Sequence, residues 1–205
     1  MKVTYYPVGE YQANCVFLSD EQGTTVVIDP GDEAGRLLDR LKDQHLNVKA
    51  ILLTHAHFDH LLAVRELQEA TGAPLYIHAE DAPALSDADI SLIPPHRRPY
   101  VLTADRLLND GDIVTVGDLT LTALHTPGHT KGSCCFLCED LLIAGDTLFA
   151  GSVGRTDLPG GNMRTLFQSL RRLAALPGET QMISGHGEDT TIGYECRYNP
   201  FLAGV

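Results

Sequence analysis

The run Thr54-His55-Ala56-His57-Phe58-Asp59-His60 places three imidazoles and a carboxylate within six positions. Extended backbone sends residues i and i+2 to the same side, so His55 and His57 can grip one cation together. A turn toward a following helix frees Asp59 and His60 to face a second point nearby. Imidazole and carboxylate donors together suit zinc, iron or manganese better than calcium or magnesium. A lone histidine on a loop is usually a solvated or hydrogen-bonded surface group. Three with an aspartate in so short a run need a shared purpose, and metal binding supplies one.

Three more residues of the same donor types sit where a strand pattern gives way to a turn. They are His129 in Thr126-Pro127-Gly128-His129-Thr130, Asp146 in Ala144-Gly145-Asp146-Thr147, and His186 in Gly185-His186-Gly187. Glycine beside a donor lets backbone approach a cation closely, and a strand end fixes the donor on rigid scaffold. Each alone could be an ordinary turn; with the first cluster they complete a set.

These donors need a frame. Apolar Ala50–Leu53 precedes the cluster and an amphipathic run, Leu61–Ala70, follows it, which puts the cluster on a turn between a buried strand and a helix. Val3–Tyr6, Val16–Leu18 and Thr24–Ile28 read as strands. Asp32 is placed to cap a helix reaching about Gln44, with Ala34, Leu37, Leu38 and Leu41 as its apolar stripe. Val48–Leu53 is the strand delivering the cluster; the helix Leu61–Thr71 stops at Gly72, and Pro74–His78 is a further strand.

Pro83, Pro94, Pro95 and Pro99 break periodicity in Ala79–Tyr100, which predicts a loop with short helical pieces. Strand signals resume at Ile113–Val116, Leu119–Leu124, Ser133–Leu137 and Leu141–Ala144. Asn162 caps a second helix, Met163–Leu176, and a strand at Gln181–Ser184 leads to His186. Strands, helix, strand, metal turn and helix are echoed by strands, helix, strand and metal turn. That repetition predicts two facing sheets with helices outside, in one domain over residues 1–205 with no linker.

Apolar content of 43% and charged content of 20% are those of an ordinary globular protein. A net charge of −12 and the lack of a basic stripe argue against a nucleic-acid partner. Neither a run long enough to span a membrane nor a signal peptide's apolar core is present, so a cytoplasmic location is expected. Five cysteines, an odd number, fit a reducing compartment. Cys15, Cys134, Cys135 and Cys138 fall in apolar strands and read as core thiols. Cys196 reads as part of the C-terminal tail, and His45, His78, His96 and His125 as structural or surface residues, with support of the nearby ligand turn open to His125.

Taken in order, Thr-His-Ala-His-Phe-Asp-His, Thr-Pro-Gly-His-Thr, Gly-Asp-Thr-Leu-Phe and Ser-Gly-His-Gly resemble the motifs of the metallo-β-lactamase fold superfamily. The resemblance runs from Val26-Val27-Ile28-Asp29-Pro30-Gly31 to Asn199-Pro200-Phe201-Leu202. It implies an α/β (α+β) fold, a four-layer αββα sandwich, and two divalent metal ions per chain, zinc ahead of iron or manganese. His55, His57 and His129 would hold one ion, and Asp59, His60 and His186 the other, with Asp146 bridging. Asp29 matches a position that supports the metal loops from behind.

Within the superfamily the chain is most similar to the glyoxalase II branch, the hydroxyacylglutathione hydrolases, in its short form without a C-terminal helical domain. Phe149–Gly161 resembles the short members and also the persulfide dioxygenases. Full-length enzymes carry Gly-Lys-Phe-Tyr where this chain has Gly154-Arg155-Thr156-Asp157, and Glu188 stands in place of a glutathione-contacting tyrosine. Arg155 can serve a substrate carboxylate or pair with Asp157.

The chemistry so implied is hydrolysis of a small-molecule thioester such as S-lactoylglutathione, with no protein partner. A hydroxide shared by two cations attacks the carbonyl, and Asp59 orients it and takes its proton as the catalytic residue. No Gly-x-Ser-x-Gly elbow competes. The alternative is a persulfide dioxygenase, in which one iron uses His55, His129 and Asp146 to oxidise glutathione persulfide. Lactone or β-lactam hydrolysis is a variant of the first chemistry, and a metal-stabilised binding module is the non-catalytic reading.

Overall fold

A computed structural model describes residues 1–203. Apolar residues follow one another along the central strands and point alternately to opposite faces, so each strand feeds a different core from each face. In β2 (Ala13–Ser19), Cys15 and Phe17 point to one core while Val16 and Leu18 point to another. Both faces are therefore covered, and the strand is buried throughout.

Two sheets result. The first joins β1 (Lys2–Val8), β2, β3 (Thr24–Ile28), β4 (Asn47–Leu52), β5 (Leu75–His78) and β6 (Arg106–Leu108) in that order. Its first three strands are antiparallel, and β3 through β6 run parallel. The second comprises β7 (Ile113–Val116), β8 (Leu119–His125), β9 (Cys134–Cys138), β10 (Leu141–Gly145), β13 (Gln181–Ser184) and β14 (Thr190–Thr191). Here β10 and β13 are parallel and the other neighbours antiparallel. A short hairpin of β11 (Leu148–Phe149) and β12 (Ser152–Val153) follows β10.

Parallel neighbours need crossover connections: α1 (Ala34–Asp43), α2 (Val64–Thr71) and α3 (Met163–Ala174) lie in three of them, and the connection from β5 to β6 holds only short 3₁₀ pieces. Leu37, Leu41, Val64 and Leu67 pack α1 and α2 on the outer face of the first sheet. Leu166, Leu170 and Leu173 pack α3 on the second, joined by Ile192 of α4 (Ile192–Tyr198). Between the sheets lies the third core, with Val16, Ile28 and Leu52 facing Leu121, Phe136 and Ile143. The layers are thus αββα, as the sequence implied.

Local differences have local causes. Asp32 does not cap α1: Glu33 occupies that position with φ 56° and makes no capping bond through its side chain. Asp32 instead accepts from the Glu33 backbone N–H and pairs with Arg97 at 3.2 Å. The helix after the histidine cluster begins at Val64 rather than Leu61, because Phe58–His60 first forms a 3₁₀ turn. Asn162 does cap α3, accepting from Thr165 N–H at 3.0 Å. The Ala79–Tyr100 segment holds two short 3₁₀ pieces, Ala82–Ser86 and Pro95–Arg97.

Cys15, Cys134, Cys135 and Cys138 are buried, and burial pushes the thiol of each above its ordinary range. Cys196 is exposed. Among the described residues, no helix is long and apolar enough to cross a membrane.

Candidate metal centre

The cluster residues and the three distant donors all follow the carboxyl ends of strands. His55–His60 leave β4, His129 lies beyond β8, Asp146 follows β10, and His186 follows β13. Both sheets therefore deliver donors to one edge of the sandwich. Their spacing closes into two groups. His55, His57 and His129 bring one nitrogen each within 4.8 Å of one another, as do the side-chain donors of Asp59, His60 and His186. His129 Nε2 lies 2.9 Å from His57 Nδ1, and His60 Nε2 lies 3.3 Å from His186 Nε2.

Asp146 stands between the groups. Its Oδ2 is 3.5 Å from His129 Nε2 and 3.6 Å from His186 Nε2, while Oδ1 is 3.4 Å from His60 Nε2. One carboxylate thus reaches donors of both triads.

The far sides of the rings are tied down. His60 Nδ1 meets Asp29 Oδ2 at 3.0 Å, His129 Nδ1 donates to the Arg155 carbonyl at 2.8 Å, and His186 Nδ1 donates to the Tyr11 carbonyl at 2.9 Å. His55 Nδ1 meets Thr54 Oγ1 at 3.1 Å. Each Nδ1 so engaged leaves Nε2 to face the cluster, which is how imidazole ligands are oriented. His55 Nε2 and Asp146 Oδ1 are buried and have no hydrogen-bond partner. Buried orphan acceptors are costly unless a cation or donor meets them. The donor set therefore fits divalent metal.

Two buried aspartates hold the loops. Asp29, at φ 52°, accepts from Thr54 N–H at 2.7 Å and Thr54 Oγ1–H at 2.6 Å besides meeting His60. Asp81 accepts from Ala56 N–H at 3.0 Å, Thr130 Oγ1–H at 2.8 Å and Gly132 N–H at 2.6 Å. It ties the peptide between His55 and His57 to the loop carrying His129. Nothing in the sequence distinguished Asp81, an acidic residue just past a strand; its three partners are 25 or more positions away. His78 and His125, read separately in the sequence, stack face to face at 3.9 Å.

The electrostatics follow from this packing. Burial, aided by the neighbouring imidazoles, pushes the pKa of His55 well below its ordinary range, and burial with the His129 ring beside it lowers His57 to about 3. Both offer neutral nitrogens at pH 7. For His60 burial acts the same way, but Asp146, Asp59 and Asp29 outweigh it and raise the ring to about 10. His186 is raised in the same manner: burial opposes, and the Asp59 hydrogen bond and Asp146 prevail. Burial would raise Asp59, yet His60 and His186 hold its carboxyl well below the usual range.

The centre opens into a cavity of about 510 Å³. Tyr11, Phe58, Leu92, Phe149, Val153 and Leu158 give it apolar walls around the His and Asp donors. Arg155 lines it too, but its Nε and Nη2 reach Asp157 Oδ1 and Oδ2, both at 2.7 Å. The guanidinium fork is engaged by a neighbour, which is the structural role the sequence had held open beside substrate binding.

Known proteins are similar to this chain. The family model described as the metallo-beta-lactamase superfamily matches residues 8–186. The hydroxyacylglutathione hydrolase GloC of Haemophilus influenzae is 37% identical, over 98% of this chain and 98% of its own. The crystal structure of the B3 metallo-beta-lactamase BLEG-1 is 39% identical, covers 99% of this chain and 100% of its own, and has a TM-score of 0.94. That of TTHA1623 in a di-iron-bound form is 41% identical over 97% of this chain and 100% of its own, with a TM-score of 0.86.

Proposed function

The chain belongs to the metallo-β-lactamase superfamily, and from that premise we propose that it is a binuclear metallo-hydrolase that cleaves a thioester, with S-lactoylglutathione or a related hydroxyacyl-glutathione as substrate. The observation that carries this reading is the pair of donor triads sharing Asp146 at the floor of one cavity. Likeness to GloC supports the thioester.

His55, His57 and His129 would hold one ion and Asp59, His60 and His186 the other, with Asp146 between them. Zinc is the first assignment and iron or manganese the alternatives, iron being the metal of the TTHA1623 structure. Two such cations would polarise the carbonyl and bring the pKa of a water from about 16 toward 7. Asp59, held ionised by His60 and His186, would accept a hydrogen bond from the attacking water and orient it. Apolar walls at Phe58, Leu92 and Phe149 exclude bulk water from the acyl group. A thiolate leaves without needing a proton, so a dedicated general acid is not required.

A second reading is persulfide oxidation at one iron, which the similarity of Phe149–Gly161 to persulfide dioxygenases favours. The test is hydrolysis of S-lactoylglutathione by purified protein, with metals counted by elemental analysis on the same sample. Turnover with about two ions per chain supports the thioester hydrolase. One iron per chain, no turnover, and oxygen uptake with glutathione persulfide would replace it. Hydrolysis of a β-lactam but not of the thioester would move the substrate class toward that of BLEG-1.

A further inference from the structure

A second cavity, of about 260 Å³, adjoins the metal cavity, and His57 is a wall of both. The same three segments flank the two spaces. Leu92, His129 and Leu158 line the metal cavity; Ile90, Thr130 with Lys131, and Pro159 with Gly160 line the second. A molecule seated at the metals and longer than its acyl group can therefore continue past His57 between these segments.

The second cavity is apolar at Pro83, Ala84 and Ile90 and ionic at two exposed side chains, Glu80 and Lys131. Among the described residues no ion pair engages either of them. The third acidic or basic group besides His57 in this cavity, Asp81, already accepts three hydrogen bonds. By contrast, the one cationic side chain that is not a cluster residue in the metal cavity, Arg155, is forked onto Asp157. An opposite-charge pair without partners, beside an apolar floor, is the chemistry that receives a zwitterionic tail.

We propose that this second cavity is the subsite for the tail of the thiol carrier, with Lys131 meeting a carboxylate and Glu80 an ammonium, as on a γ-glutamyl peptide. This rests on the thioester reading above. It deepens that reading by assigning carrier recognition to the Glu80–Lys131 side of the cleft instead of to Arg155.

The experiment compares S-lactoylglutathione with S-lactoyl-N-acetylcysteamine, a thioester whose carrier has neither charge, on metal-loaded parent protein and on Lys131→Ala, Glu80→Ala, Lys131→Arg and Arg155→Ala. The readout is the ratio of the two KM values. Because solvent screens exposed charges, each alanine variant should raise the ratio by roughly three- to fivefold. Lys131→Arg should restore it, which loss of structure alone would not allow. An unchanged ratio in Lys131→Ala and Glu80→Ala, with a rise in Arg155→Ala, overturns the subsite while leaving the hydrolase intact.

If the parent cleaves neither ester, the thioester reading fails by itself. Calorimetric titration with glutathione then decides the subsite: binding that Lys131→Ala weakens upholds it, and no binding or unaltered binding overturns it.

Discussion

At the residue scale, the centre depends on which nitrogen each ring presents. Nδ1 of His60, His129 and His186 is occupied by Asp29, the Arg155 carbonyl and the Tyr11 carbonyl, so Nε2 is left to face the cluster. His57→Ala or Asp59→Ala should abolish hydrolysis with the far-ultraviolet circular dichroism unchanged; substantial residual turnover in Asp59→Ala would exclude Asp59 as the catalytic residue. Asp81 makes a different prediction. An amide in its place offers donors to the N–H groups of Ala56 or Gly132, which already donate. Asp81→Asn should weaken metal binding at His55, His57 and His129 by about 10- to 100-fold, the usual cost of losing an outer partner. Competition with a chromophoric chelator would measure it, and unaltered affinity with a lowered Tm would reduce Asp81 to a general structural role. The seven donors were legible in the sequence because their types and spacing are unusual. Asp81 was not, because a lone aspartate acquires meaning only from its distant partners.

At the element scale, α3 positions His129. Asn162 N–H donates to the Gly128 carbonyl at 2.7 Å, and Ser169 Oγ–H donates to the Pro127 carbonyl at 2.7 Å, so the helix grips the turn before the ligand. Gly128, at φ +142°, faces Leu166 so closely that a Cβ would run into it. Gly128→Ala should push α3 away from this turn, and elemental analysis should find less metal on the variant, while Tm falls. Replacing the cap with Asn162→Ala should cost about 1 kcal/mol of stability in urea unfolding. The long helices were readable from periodicity, and α3 from its cap as well, whereas the cap read for α1 at Asp32 was not the one used. The start of α2 was misread because Leu61 and Leu62 continue the apolar pattern although the 3₁₀ turn at Phe58–His60 delays the helix. Short elements such as β11, β12, β14 and α4 escaped because runs of two to seven residues carry too little period to be recognised.

At the scale of the molecule, the cluster is a site where protons and cations compete. His60 holds its proton at pH 7, since three carboxylates raise it to about 10, and His186 is raised as well. A cation must displace that proton, so affinity should increase as pH rises from 6 to 8, by about tenfold per unit for each proton released. The sign follows from the raised shift: acid favours the protonated ring and expels the metal. Calorimetry of metal binding in two buffers of unlike ionisation heat should register the release of at least one proton per chain. No release would remove His60 from the ligand set.

What the sequence by itself determined is the set of donor types and the frame. The alternation that sends Cys15 and Phe17 one way and Val16 and Leu18 the other demands a sheet covered on both faces, and the Thr54–His60 motif names the donors. These are local properties, written in residue type and short spacing. Only the tertiary structure decided what depends on distant segments meeting: that Asp81 ties the metal loops, that Asp157 engages Arg155, and that a second cavity shares His57 with the first. Each is set by the packing of two sheets whose strand ends converge at one edge, and packing is a property of the assembled cores.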